Sequence, residues 1–139
     1  MIICDTSGLV AAYSARDARS QAVTELLRRE PGSLILSPFV LAELDYLIAT
    51  RAGVADELKV LSDVASGVYS LAELDRFEVA QAAALVERYR DMDIGLADAS
   101  VVVLAGRYGT TRLLTFDEKH FRAIRPLAGD AFTILPADG

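Results

Sequence analysis

Four acids in this 139-residue chain stand in surroundings too apolar or too small for ordinary surface charges. Asp5 ends the opening run Met1-Ile-Ile-Cys-Asp, and Glu43 lies in Phe39-Val-Leu-Ala-Glu-Leu44. Asp98 lies in Gly95-Leu-Ala-Asp-Ala-Ser100, and Asp117 closes Thr111-Arg-Leu-Leu-Thr-Phe-Asp. Carboxylates gathered in one place repel one another, so they share protons or bind cations. Oxygen donors suit hard divalent ions, Mg²⁺ or Mn²⁺. Such ions serve phosphoryl chemistry, because they activate water and stabilise a leaving oxygen. Plainer readings stand beside this one. Asp5, Asp98 and Asp117 each fall where a helix is expected to begin, and Asp is a favoured N-cap. Glu43 sits among leucines expected to face the core, where an unpaired acid is costly. Asp45 is expected to face solvent, and Glu25, Glu57, Glu78 and Glu87 read as charges on solvated helix faces.

The elements that would carry these acids alternate between strand and helix. After the opening strand, Leu9 to Tyr13 reads as a short helix. Asp17 to Glu30 reads as a second, capped by Asp17, with an apolar stripe of Ala18, Val23, Leu26 and Leu27 and a stop at Pro31-Gly32. Ser33 to Ser37 is a buried strand, and Ser37-Pro38 opens a helix carrying Val40, Leu41, Leu44, Leu47 and Ile48 inward. Gly53 punctuates. Val54 to Ser66 forms the next helix, with Leu58, Leu61 and Val64 inward, and Gly67 to Leu71 a third strand. Asp75 to Arg90 is a long helix with Phe77, Ala80, Ala84, Leu85 and Tyr89 on its inner face. A loop then leads to the unusually apolar helix Leu96 to Tyr108. Thr111 to Phe116 is a fourth strand, Glu118 to Ile124 a helical turn, and Phe132 to Leu135 a last strand.

This alternation implies an α/β protein with a parallel sheet covered on both faces. Ligands of such sheets bind at the carboxyl ends of the strands. Asp5 and Asp117 fall at those ends, while Glu43 and Asp98 lie early in helices leaving the same edge. One rim can therefore hold all four. No repeat, low-complexity segment or linker interrupts the chain, so residues 1–139 are expected to form a single domain.

Composition narrows the field. At 53% hydrophobic and 24% charged the chain reads as globular. Its apolar stretches are broken by charges well before a membrane span is reached, and no export signal opens it, so a cytoplasmic protein is expected. The one cysteine, Cys4, reads as a small buried hydrophobe. A net charge of −6 argues against nucleic acid as a partner, because phosphate binding rewards basic surfaces, yet it fits a carboxylate site that needs divalent metal. Arg outnumbers Lys twelve to two, so the positive charge present is of the fork-shaped, phosphate-binding kind. With one histidine, His120, a His-rich zinc site is excluded, and its setting in Glu118-Lys-His-Phe121 reads as packing or a surface turn. No Walker A or Gly-x-Gly-x-x-Gly motif occurs.

Four segments in order resemble the PIN-domain ribonucleases, most of all the VapC toxins of bacterial toxin–antitoxin pairs. They are Ile2-Ile-Cys-Asp-Thr-Ser-Gly-Leu9, Ser37-Pro-Phe-Val-Leu-Ala-Glu-Leu44, Gly95-Leu-Ala-Asp-Ala-Ser100 and Leu114-Thr-Phe-Asp-Glu-Lys-His-Phe121. The resemblance covers essentially the whole chain. It implies a PIN-like three-layer α/β/α sandwich with a parallel sheet of about five strands. It implies that Asp5, Glu43, Asp98 and Asp117 form an acidic quartet binding Mg²⁺ or Mn²⁺ for RNA hydrolysis. Thr6 or Ser7, and Thr115, match hydroxyl positions that support the acids or contact phosphate. The substrates it implies are structured loops of transfer or ribosomal RNA, whose cleavage inhibits translation and growth. The implied partners are a VapB-like antitoxin that fills a groove, and a second copy in a two-fold dimer that forms a higher complex with the antitoxin. The helix pair on either side of Gly53 offers apolar surface for one of these contacts. Arg16, Arg112, Lys119 and Arg122 are candidate phosphate contacts.

Two other classes compete. A PIN-like binding module without activity would not need the intact quartet. A phosphoacceptor or phosphatase domain also places an Asp after its first strand. The haloacid-dehalogenase pattern, however, wants a second Asp where this chain has Ser7, and Lys119 is a poor match to a receiver-domain lysine.

Overall fold

The computed structural model describes residues 1–30 and 33–139, so the helix stop expected at Pro31-Gly32 lies outside the described residues. Five short strands pair in parallel: β1 (Ile2–Cys4), β2 (Leu34–Leu36), β3 (Ser70–Leu71), β4 (Arg112–Leu114) and β5 (Thr133–Leu135). Their order is β3-β2-β1-β4-β5. Ile3 stands opposite Ile35 on one side and Leu113 on the other, and Cys4 opposite Leu36 and Leu114. The three residues of β1 are wholly buried, which a sheet covered on both faces requires. Among the described residues seven helices provide that cover: α1 (Thr6–Tyr13), α2 (Ser20–Arg29), α3 (Pro38–Ala52), α4 (Val54–Ala65), α5 (Arg76–Arg88), α6 (Leu96–Tyr108) and α7 (Glu118–Phe121). The result is the three-layer α/β/α arrangement expected from the alternation.

The strand order decides where a ligand can sit. From β1 the chain runs to β2 on one side and later returns to β4 on the other. The connections out of β1 and β4 therefore part company, leaving a crevice beyond the carboxyl ends of these two neighbours. Asp5 follows β1 and Thr115-Phe116-Asp117 follows β4, so both chain segments open directly into it.

Three local devices hold the crevice walls. A Cβ on Gly8 would stand 2.6 Å from the Leu114 carbonyl oxygen, so only glycine lets α1 lie this close to the end of β4. Ser37 caps α3 by accepting from the N–H groups of Phe39 and Val40. The Ser37 hydroxyl also meets that of Ser100 on α6 at 2.7 Å, and Ser100 donates to the Ala97 carbonyl. Both serines are fully buried, and together they fix the start of α3 against the first turns of α6. Those two helices carry Glu43 and Asp98.

Several inward faces differ from the sequence expectation. In α4 the buried residue is Val60, while Leu58 is 58% exposed and Leu61 is exposed too. In α5 Ala82 and Leu85 are buried, whereas Phe77 is 68% exposed and Ala80 and Ala84 face solvent. Both helices carry apolar residues on more than one side, so periodicity alone does not say which side is covered. Ala18 is exposed because α2 begins only at Ser20; Asp17 forms a turn instead, accepting from the backbone N–H of Arg19. Helix α1 starts at Thr6, three residues before the expected Leu9, and β3 shrinks to two residues. Asp45 is half-buried rather than solvent-facing, with Oδ1 shut off from water and unpartnered among the described residues.

Candidate active site

Asp5 occupies the N-cap position of α1 without capping it. Its Oδ2 instead accepts from the hydroxyls of Thr115 at 2.7 Å and Ser7 at 3.0 Å. The Thr115 hydroxyl accepts from the Asp117 N–H at 2.9 Å, and Ser7 Oγ accepts from the Phe116 N–H at 2.9 Å. Two hydroxyls thus stitch the turn after β1 to the turn after β4, with the Asp5 carboxylate between them. Asp5 is 3% exposed, and burial pushes its carboxyl above the usual carboxylate range against the pull of Thr115 and Ser7. The capping alternative for Asp5 is overturned by where its side chain points. Thr6 is buried and its backbone, not its side chain, bonds the acid; its hydroxyl has no partner among the described residues.

Asp98 lies in the first turn of α6, where Gly95 rather than Asp98 holds the cap position. Burial, with the negative charge of Asp5 beside it, pushes its carboxyl up to about 6. Asp117 does cap: its Oδ1 accepts from the His120 N–H at 3.0 Å at the start of α7. Its Oδ2 lies 2.7 Å from His120 Nδ1. Capping and site membership are therefore the same arrangement here, and the two readings of Asp117 do not compete. The nearest donor atoms of Asp98, Asp117 and His120 lie within 4.8 Å of one another.

Glu43 is exposed, not buried among leucines. The core-facing stripe of α3 is Val40, Leu44 and Ile48, spaced by four, and Glu43 stands one position round the helix from it. That flank faces the crevice. A cavity of about 500 Å³ there is lined by all four sequence-marked acids, Asp5, Glu43, Asp98 and Asp117, together with Arg19 and Arg51.

Three of these neighbours were not legible as site residues. His120 is no surface turn: besides Asp117, its ring meets the Met92 carbonyl oxygen at 2.8 Å through Nε2. A carboxylate and a carbonyl both accept, so these contacts favour a proton on each ring nitrogen. Although burial opposes the charge, Asp117, Met92 and Asp98 outweigh it and raise the His120 pKa. The spacing of three from Asp117 was the available signal. Arg19 is held at 2.9 Å by Asp17 and lies 4.2 Å from the centre of the Phe116 ring. Arg51 sits in the last turn of α3. Of the expected phosphate contacts, Arg112 is paired with Glu30, Arg122 is spent on Glu118 and Asp138, Lys119 is exposed on α7, and Arg16 lines an adjoining cavity.

The donor set fits a hard divalent cation. It is rich in carboxylate oxygen, contains an acid buried against its own charge, and places further acids within repulsive reach. Among the described residues no helix is long and apolar enough to cross a membrane.

Comparison with known proteins agrees with this geometry. Residues 2–126 match the PIN domain family. Ribonuclease VapC26 of Mycobacterium tuberculosis is 47% identical over 135 residues, spanning 97% of this chain and all of that protein. The crystal structure of Mycobacterium tuberculosis VapC20, described as a sarcin–ricin loop cleaving toxin, superposes with a TM-score of 0.80 at 24% identity, covering 91% of this chain and 100% of that one. A toxin–antitoxin complex from Klebsiella pneumoniae gives 0.68 at 18% identity over 89% of this chain and 92% of its own. VapBC2 of Rickettsia felis, bound to a DNA fragment from its promoter, gives 0.65 at 23% identity over 92% and 96%. A buried aspartate at the switch point of a parallel sheet, ringed by further acids, thus belongs to a recognisable lineage: the chain is a member of the PIN-domain family, among the VapC ribonucleases.

Proposed function

We propose that the protein is the toxin of a VapBC-type pair and an endoribonuclease that hydrolyses RNA phosphodiester bonds with Mg²⁺ or Mn²⁺. The observation that carries the reading is the clamped, buried Asp5 facing Asp98 and Asp117 across the crevice between β1 and β4. Asp5, Asp98 and Asp117 would hold the ion, with Glu43 completing the site from the flank of α3. When bound, such an ion polarises the phosphoryl oxygens and lowers the pKa of water at the site.

The chain's own groups supply position. Thr115 and Ser7 keep Asp5 Oδ2 in one place, so no carboxylate reorganisation accompanies reaction. His120 Nδ1 meets Asp117 Oδ2, and Nε2 ties the pair to the Met92 carbonyl. In its protonated form His120 also offsets part of the negative charge that a phosphodiester would otherwise meet. Arg19 and Arg51, on the rim of the cavity, attract the polyanion that the net charge of the whole chain repels. Hydrolysis by in-line attack of water on phosphorus suits this open crevice, which admits a chain passing through. The RNA proposed is a structured loop of transfer or ribosomal RNA.

The proposed partners are a VapB-like antitoxin and a second copy of the chain, assembling into a higher complex. Val54, Leu58 and Leu61 lie exposed along α4, and Tyr46 is exposed on α3. This apolar surface around Gly53 suits one of those two contacts.

The deciding experiment is incubation of total RNA with the purified, antitoxin-free protein in Mg²⁺, in Mn²⁺ and in chelator, beside Asp98→Asn. Discrete fragments that need metal and vanish in the variant support the reading. A fully active Asp98→Asn defeats the assignment, and absence of fragments from folded, Mn²⁺-binding protein favours the silent binding module.

A further inference from the structure

The acidic crevice does not end at the quartet. A second cavity, of about 550 Å³, adjoins it, and the two share Val10 of α1 and Arg51 of α3 as common wall. Glu43, Leu47 and Arg51 are spaced by four along α3 and all line the acidic cavity. One helix face therefore runs from the acids at one end to a guanidinium about 12 Å further along. The second cavity lies beyond that guanidinium. Tyr13 and Ile48 give it apolar wall, while Arg16 and Asp56 line it too.

The two cavities suit different parts of one polyanion. The acidic end takes a phosphate only with a cation in place. Arg51 needs none: it is exposed, and among the described residues no carboxylate lies within ion-pair distance of it. Arg19, by contrast, is committed to Asp17 and to the Phe116 ring. A free guanidinium at the mouth between a catalytic crevice and a part-apolar pocket is placed to grip a phosphate and hand the attached nucleoside to the pocket.

We propose that the second cavity is a subsite for an RNA nucleotide flanking the bond to be cut, and that Arg51 positions it by holding the phosphate between the two cavities. The inference rests on the ribonuclease reading and extends it, since it assigns a positioning residue and a place for the substrate's neighbouring unit.

The test is fluorescence anisotropy with a short 5′-fluorescein oligouridylate in Mg²⁺ over a series of salt concentrations, on an Asp98→Asn background so that the probe stays intact. Adding Arg51→Gln is expected to weaken binding about tenfold, the scale of a lost charge-assisted hydrogen bond. The plot of log affinity against log salt should become shallower by about 0.7, one phosphate contact on a single strand. Arg88→Gln, on α5 outside both cavities, should leave affinity and slope unchanged. Equal behaviour of the two substitutions, or no measurable binding by the Asp98→Asn parent, overturns the proposal. The companion outcome is separate. RNA that binds through Arg51 but is never cut by the wild-type protein retires the nuclease reading alone, and RNA that is cut with no dependence on Arg51 retires the subsite alone.

Discussion

Replacing Thr115 with valine tests the clamp on Asp5 with little change of shape. Thr115 is 1% exposed, and its hydroxyl makes two bonds that valine cannot: it donates to Asp5 Oδ2 and accepts from the Asp117 N–H. A hydrogen bond to a charged partner contributes about 1.5–3 kcal/mol, and a neutral one about 1 kcal/mol. Burial raises the Asp5 pKa, which draws its bond toward the lower figure, and the cavity side of Asp117 lets water reach its N–H. The balance is a loss of about 2 kcal/mol, with no cavity term because a methyl replaces the hydroxyl. Urea unfolding in chelator reads this as a lower midpoint with an unchanged slope. Thr115→Ser keeps the oxygen and should recover most of the loss. A valine variant within about 0.5 kcal/mol of the parent, or a serine variant as weak as valine, refutes the claim that the hydroxyl and not the packing is what matters at this position. The same valine variant should bind Mn²⁺ more weakly, because Asp5 then loses one of the two hydroxyls that orient it.

Two further predictions concern the same crevice. Gly8→Ala would drive a Cβ into the Leu114 carbonyl, so α1 must move off β4; a stability loss of about 1–3 kcal/mol is expected by urea titration, and an unchanged midpoint would deny the close approach. In chelator the protein should grow more stable as pH falls from 8 to 5. The folded-state pKa of Asp98 is raised to about 6 from an ordinary 3.8, so the folded form gains a proton in this window that the unfolded form does not. His120 acts in the same direction, since a raised imidazole pKa stabilises the fold below it and the contribution is lost as pH rises through it. Mn²⁺ should reverse the trend by favouring the ionised acids. A thermal midpoint in chelator that climbs with pH over this range would contradict the assigned burial of Asp98.

Much of this arrangement was legible in the residues. The continuous apolar runs of β1 and β2 and the long apolar stretch of α6 point to burial on both sides, and α6 runs over the residues expected, Leu96 to Tyr108. Ser37-Pro38 announced its helix by cap and ring. What could not be read is anything set by which neighbour arrives. Strand order is one case, because apolar strands of similar composition pair equally well on paper. Phe77 and Leu58 are another, since a helix with two apolar sides is resolved only by what packs against it. Glu43 was marked for a burial it does not have, and His120 was dismissed for want of a second histidine, when its partners are carboxylates and a carbonyl.

The bond between Thr115 and Asp5 spans 110 positions of the chain. Asp5 is made well before its Thr115 clamp, which arrives with Asp117 only when β4 and the turn after it have been made. Closing so long a loop comes late, after the local helices have formed. A nascent or prematurely ended chain therefore holds Asp5, Glu43 and Asp98 without Thr115 and Asp117, which complete the arrangement. For a protein proposed to attack the RNA of the machinery that builds it, the order of synthesis makes completion of the site one of the last local events.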